Sequence, residues 1–204
     1  MTERTSGWRA AFSIPAVYRA AQRMIGSPNV RAALVDEYLR PVDGDAILDI
    51  GCGTADILDH LPSVTYFGHD PSADYIAAAI ERYGDRGTFS VGGIGAVPVD
   101  DGAYDLVLAK GVLHHVDDEL GNGLFDEAFR ALKPGGRVVT IDPVYDPGQA
   151  RIARTLASRD RGENVRTLDG YLALVPDGFA TVESTVRHDL LRVPYSHAVV
   201  VATR

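Results

Sequence analysis

Ile47-Leu48-Asp49-Ile50-Gly51-Cys52-Gly53-Thr54-Ala55-Asp56 is the stretch on which the reading of this 204-residue chain turns. An apolar run over 46–50 predicts a buried strand, and Gly51-Cys52-Gly53 breaks it. Glycines there let the backbone turn sharply with no side chain in a ligand's way. The turn falls at the carboxyl end of the strand, where open α/β sheets bind their ligands. Glycines also serve plain turns, so the loop alone is a moderate signal. A nicotinamide-dinucleotide loop would carry a third glycine at position 56. Asp56 stands there instead, and its carboxylate would repel a pyrophosphate. The charge suits a cationic or zwitterionic ligand better.

Outward from the loop, β-rich runs alternate with amphipathic segments, the pattern of an α/β fold with a mostly parallel sheet. Strands are expected at 46–50, 64–68, 88–91, 104–109, 137–141, 179–190 and 197–202. Helices are expected from Ser27-Pro28 to near Pro41, through Leu58 and Leu61, and from Ser72 to Tyr83. A further helix carries Leu120, Leu124, Phe125, Ala128, Phe129 and Leu132, and Pro134-Gly135-Gly136 stops it. Two inserted helices, 149–158 and 168–175, precede the last strands. The two-strand ending is a hairpin, so one of that pair runs antiparallel. The whole, 1–204, reads as one domain, with an N-terminal helical cap at 1–41 and a core from 42 onward. A helical lid is inserted at about 146–176.

Apolar content of 46% and charged content of 24% are ordinary for a globular protein. The net charge of -8 argues against a nucleic-acid partner, which needs many phosphate-neutralising cations. The arginines between 151 and 166 are interrupted by Asp160 and Glu163 and read as an exposed helix face. No apolar run approaches the roughly 20 residues of a membrane span, and no signal-peptide pattern opens the chain. The expectation is a cytoplasmic protein without a membrane partner. The single cysteine, Cys52, excludes an internal disulfide and a thiolate metal cluster. No His-x-x-x-His spacing supports a metal site, and Cys52 reads as a residue chosen for small size.

Asp70 lies at the end of the second strand, about one βα unit after the loop, where a carboxylate can accept hydrogen bonds from both hydroxyls of a ribose. Pro71 holds it extended, and Ser72 can cap the helix that follows.

Four blocks together, 47–56, Gly68-His69-Asp70-Pro71-Ser72, 105–115 and Leu132-Lys133-Pro134-Gly135-Gly136-Arg137, resemble the class I S-adenosylmethionine-dependent methyltransferases, in order and spacing, from about Val42 to the end. The resemblance implies a Rossmann-like seven-stranded sheet in the order 3-2-1-4-5-7-6, its seventh strand antiparallel, with helices on both faces. It implies S-adenosyl-L-methionine as cofactor. Gly51, Cys52 and Gly53 would line its methionine part, Asp49 would sit close to its amino group, and Asp70, with Pro71 beside it, would hold the ribose. Lys110 and Gly111 would supply backbone contacts to the methionine ammonium, and His115 would lie near the sulfonium. Many relatives carry an acidic residue after strand three for the adenine amino group. Here the loop reads Gly92-Gly93-Ile94, which leaves the base to the Gly93 backbone and an apolar contact from Ile94. Ala55 replaces a frequent third glycine.

Methyl transfer needs nucleophile, methyl carbon and sulfur held in line, roughly 3 to 3.5 Å apart. A base is needed only for an acceptor that arrives protonated, and histidine suits that task near neutrality. His114 and His115 are the candidate bases. Tyr18, Tyr145, His188 and Tyr195 are candidates for the acceptor pocket, with Gln22, Arg23, Arg154 and Arg161 as further polar contacts. The short insertion leaves room for a small-molecule acceptor with an O, N or C nucleophile. Two other readings stay open: the same cofactor used for a rearrangement or cyclisation, and a nicotinamide-dependent oxidoreductase on a related sheet. Nothing in the sequence speaks to oligomeric state.

Overall fold

The computed structural model describes residue 31 and residues 34–157, 162–191 and 194–204. Seven strands form one sheet: β1 (Ala46–Ile50), β2 (Thr65–Asp70), β3 (Thr88–Val91), β4 (Tyr104–Lys110), β5 (Leu132–Pro143), β6 (Thr181–Arg187) and β7 (His197–Thr203). Their order is β3-β2-β1-β4-β5-β7-β6, as the resemblance implies. β7 runs antiparallel to both of its neighbours, and the other pairings are parallel.

Alternate residues of the central strands feed two cores, one on each face. Leu48 and Ile50 of β1 join Val107 and Ala109 of β4 and Val138 of β5 on one face. Helix α2 (Asp118–Ala131) covers it with Leu124, Phe125, Ala128 and Ala131. Ile47, Leu106, Leu108, Val139 and Ile141 form the other face. It is covered by α1 (Ala73–Tyr83), by the 3-10 turn Asp56–His60 and by Leu34, Val35 and Leu39. Burial on both faces explains why β1 and β4 read as nearly continuous apolar runs. Both long helices start on side-chain caps: the Ser72 hydroxyl accepts from Tyr75 N, and the Asp117 carboxylate from Leu120 N.

Three expectations need adjustment. Pro134-Gly135-Gly136 stands inside β5, because Tyr104 pairs with Leu132 before the register shifts and Leu106 meets Arg137. The loop thus forms an irregularity within a long strand, and its glycines are needed there: a Cβ on Gly136 would meet the Asp105 carbonyl oxygen at 2.9 Å. The helix expected to end near Pro41 closes as a π-type segment, Leu34–Leu39, with Arg40 N bonded to Val35 O at 2.6 Å. The rest of the expected N-terminal cap lies outside the described residues. β6 ends at Arg187, short of 190, where its guanidinium turns to Asp189, Glu37 and the Tyr38 hydroxyl.

The insertion after β5 holds two short helices, α3 (Arg151–Ala157) and α4 (Leu168–Leu172). α4 belongs to the core: Tyr171 is buried, its hydroxyl donates to Pro143 O at 2.7 Å, and Leu174 packs with it. Among the described residues no helix is long and apolar enough to cross a membrane.

Candidate functional site

The parallel register brings the carboxyl ends of β1, β2, β4 and β5 to one edge, with Ile50 beside His69 and Lys110 beside Ile141. Because β7 is antiparallel, its first residue, His197, lies beside Pro143 at that same edge. Loops leaving this edge are where a ligand of such a sheet binds.

The loop after β1 is hooked onto β2: Gly51 N and Cys52 N both donate to His69 O, at 2.8 and 3.0 Å. Gly51 and Gly53 take left-handed φ values of 73° and 55°, and Ala55 does so at 52°. The two glycines differ in surroundings. A Cβ on Gly51 would stand 2.6 Å from Val112 Cγ2, whereas one on Gly53 would meet nothing within 4 Å and project into open space. Cys52 fills a slot made by Gly68, where a Cβ would come within 2.9 Å of its Sγ. Burial pushes the Cys52 thiol far up, reinforced by Asp49 and Asp70.

Two carboxylates flank the loop. Asp49 is buried at 3% exposure, and its Oδ2 accepts from the Tyr66 hydroxyl at 2.6 Å. Burial raises its pKa to about 7, against the opposing pull of Tyr66, Lys110 and His69. Asp70 is pinned by two backbone donors, Gly53 N to Oδ2 at 3.0 Å and Ser72 N to Oδ1 at 2.8 Å. It therefore ties the glycine loop to the start of α1. Asp56, whose charge sets the loop apart from a pyrophosphate site, is balanced inside the protein by Arg82 at 2.9 Å and Arg31 at 3.7 Å. Asp49 and Asp70 are the two other carboxylates beside the loop. Burial, with Arg31 beside it, lowers the pKa of Lys110, against the pull of Asp49, Asp56 and Asp142.

After β4, Gly111 turns with φ 71° and donates to Ile141 O at 2.7 Å. The 3-10 turn Leu113–His115 follows. His114 is buried and bonded twice to one atom: its backbone N and its Nδ1 reach Asp142 Oδ1 at 3.1 and 2.8 Å. The Nδ1 contact orients the His114 ring on Asp142 Oδ1. Asp142 Oδ2 is buried without a hydrogen-bond partner among the described residues. The His115 ring lies tilted against His114, with centroids 4.0 Å apart and planes at 39°. Arg166 clamps this turn to the insertion, donating to Leu113 O at 2.7 Å, to Val116 O at 2.9 Å and to Asp118 at 2.7 Å.

The loop after β3 opens at Gly93, where a Cβ would meet nothing within 4 Å, while Ile94 packs against the core. Beyond β5, Tyr145, Arg151, Arg154 and Thr155 line a cavity of about 470 Å³, with the Arg154 guanidinium over the Tyr145 ring at 5.5 Å. His188 is exposed and bonded through Nδ1 to Ser196 Oγ at 2.9 Å. Tyr195 stacks against His197 at 5.1 Å. Tyr18, Gln22, Arg23 and Arg161 lie outside the described residues. Sequence reading missed Tyr66, Asp142 and Arg166; each acts on a residue it is far from in the chain.

The site fits the cofactor that the resemblance implies. A near-neutral carboxyl at Asp49 suits an ammonium group, pinned Asp70 suits hydroxyls, and Gly53 and Gly93 leave space where side chains would intrude. No group of three or more metal-ligating side chains gathers among the described residues.

Comparisons with known proteins agree. Residues 47–136 match the sequence model of a family described as a methyltransferase domain. A phosphoethanolamine N-methyltransferase of Triticum aestivum is 29% identical over 159 residues, 74% of this chain and 31% of that protein. A ubiquinone/menaquinone biosynthesis C-methyltransferase of Geobacter sulfurreducens is 31% identical over 115 residues, 51% of this chain and 44% of that protein. The chain thus spans about a third to under half the length of these relatives. Among solved structures, a Haemonchus contortus phosphoethanolamine N-methyltransferase bound to phosphomonomethylethanolamine and S-adenosylhomocysteine superposes with a TM-score of 0.77. The match covers 96% of this chain and 58% of that one, and at 17% identity it bears on fold alone. By its strand order, its glycine loop and the methyltransferase-domain sequence model matched over that loop, the chain is similar to the class I S-adenosylmethionine-dependent methyltransferases.

Proposed function

We propose that this chain binds S-adenosylmethionine over the carboxyl ends of β1, β2 and β4 and transfers its methyl group to an O, N or C nucleophile of a small molecule. The observation that carries the reading is the meeting of Asp49, the Gly51–Gly53 turn and Asp70 at one edge, with Asp70 pinned by Gly53 N and Ser72 N. Asp49 would receive the ammonium, Asp70 with Pro71 the ribose, and the Gly93 backbone and Ile94 the base. Lys110 and Gly111 would offer their backbone to the methionine end. When bound, the cofactor supplies an electrophilic methyl carbon with its leaving group already in place.

The chain's own contribution is then to orient the acceptor and to manage its proton. His114 and His115 are the candidates to take a proton from the acceptor, with His114 positioned by the bond from its Nδ1 to Asp142. His115, tilted against His114, holds the ring plane. Tyr145, His188 and Tyr195 stand at the same edge, past β5 and before β7, and form the acceptor side. An insertion of which half is committed to the core leaves a pocket of small-molecule size.

The test is a transfer assay with methyl-labelled S-adenosylmethionine and a fractionated metabolite extract. Label is expected in a small-molecule product, and not with Asp70→Ala. Product formation with all label retained on the cofactor would replace transfer by rearrangement.

A further inference from the structure

Two buried side chains that the proposed reaction does not use stand beneath the loop after β3. His69 precedes Asp70 on β2, Glu127 lies on α2, and they are 1% and 2% exposed. His69 Nε2 lies 3.1 Å from Glu127 Oε1, and His69 Nδ1 lies 3.2 Å from Gly92 O. A carbonyl only accepts, so Nδ1 donates to Gly92 O, and Nε2 is left to pair with Glu127 Oε1. The direction of the His69 pKa agrees: burial pulls it down, but the bond to Glu127, its charge and the Gly92 carbonyl raise it above the ordinary value. The other oxygen of Glu127, Oε2, accepts from Gly95 N at 2.6 Å. One ion pair thus grips both ends of the loop 92–95.

That loop is also tied to the ribose position, since Gly92 N donates to Asp70 O at 3.0 Å. Gly93, between the two grips, faces open space. A base attached to a ribose at Asp70 meets this backbone next. An ion pair so deeply buried is a poor source of stability, because desolvation offsets the attraction and an apolar pair of similar volume would serve the core as well. What an apolar pair could not supply is the pair of bonds to Gly92 O and Gly95 N.

We propose that Glu127 and His69 are positioning residues that hold loop 92–95 in the backbone conformation that selects an adenine base. A carboxylate from α2 thereby shapes the base pocket in a chain that has none after β3. The inference rests on the cofactor reading given above.

Isothermal titration with S-adenosylhomocysteine and with its hypoxanthine counterpart, S-inosylhomocysteine, separates positioning from mere support. In Glu127→Gln the preference for adenine should fall by about tenfold or more, while the hypoxanthine ligand keeps its affinity within about threefold. Amide exchange in the ligand-free protein should quicken at 93–95. If Glu127→Gln does not fold, His69→Gln, which lets go of Gly92, carries the same expectation. Equal weakening of both ligands in a folded variant, or no change in either, overturns the proposal. A wild-type chain that binds neither ligand would instead defeat the cofactor reading, and the inference with it.

Discussion

Asp49 titrates near 7 in the folded chain because burial disfavours its charged form more than Tyr66, Lys110 and His69 restore it. In the unfolded chain the group titrates near 3.8, so its share of stability is whole below that value and is lost as pH rises through the folded value. The loss is on the order of 4 kcal/mol when complete. Asp49→Asn, which keeps an acceptor for Tyr66, is therefore expected to raise the melting temperature at about pH 8 and to change it little at about pH 4. The same carboxyl is what a ligand ammonium would draw into its charged form. Binding of S-adenosylhomocysteine at about pH 6.5 should release protons, as seen by titration calorimetry in buffers of different ionisation enthalpy, and Asp49→Asn should abolish most of that release. His114 gives the second residue-level expectation. For an acceptor that arrives protonated, His114→Gln should lower kcat by about 10²- to 10⁴-fold while the affinity for S-adenosylhomocysteine stays within about threefold. An unchanged kcat would return His114 to a packing role. Asp49, Asp70 and the histidine pair were legible because each sits beside a strand end. Asp142 and Glu127 were not, because their partners lie 28 and 58 residues away and only the strand register brings them close.

The turn after β1 separates fold from function at two neighbouring glycines. Gly51 and Gly53 are both left-handed, so alanine costs about 1 kcal/mol or more of backbone strain at either. At Gly51 the added methyl also collides with Val112. At Gly53 it enters open space that the proposal gives to the ligand. Thermal melts and titrations of the two variants should diverge: Gly51→Ala loses more stability, and Gly53→Ala loses at least about tenfold in affinity at a stability cost of about 1 kcal/mol. Equal ligand affinity in Gly53→Ala and wild type would remove the turn from the site. Elements with a strong period or a clear cap, such as β1, β4, α1 and α2, were legible from sequence. Pro134-Gly135-Gly136 misled, since the same residues that end a helix can sit inside a strand where its register shifts. The role of α4 was hidden as well: Tyr171 looks like any lid residue until its hydroxyl is seen on Pro143 O.

For the molecule as a whole, the strand order and the single antiparallel strand bring Asp49, Asp70, Lys110 and, at the start of β7, His197 to one edge of the sheet. The mostly parallel sheet followed from the alternation of elements and the antiparallel strand from the hairpin ending, whereas the strand order followed from the resemblance alone. Arg187, gripping Glu37 and the Tyr38 hydroxyl, fastens the segment before β1 to the far strand, a link across about 150 residues that no local pattern announces. The central claim is that this edge holds S-adenosylmethionine through Asp49, the glycine turn and Asp70. Isothermal titration of the wild-type chain and of Asp70→Ala with S-adenosylhomocysteine tests it most directly. One-to-one binding by the wild type, weakened about tenfold or more in a folded Asp70→Ala, is the predicted result. No heat of binding by the wild type, or equal affinity in the two proteins, would contradict it.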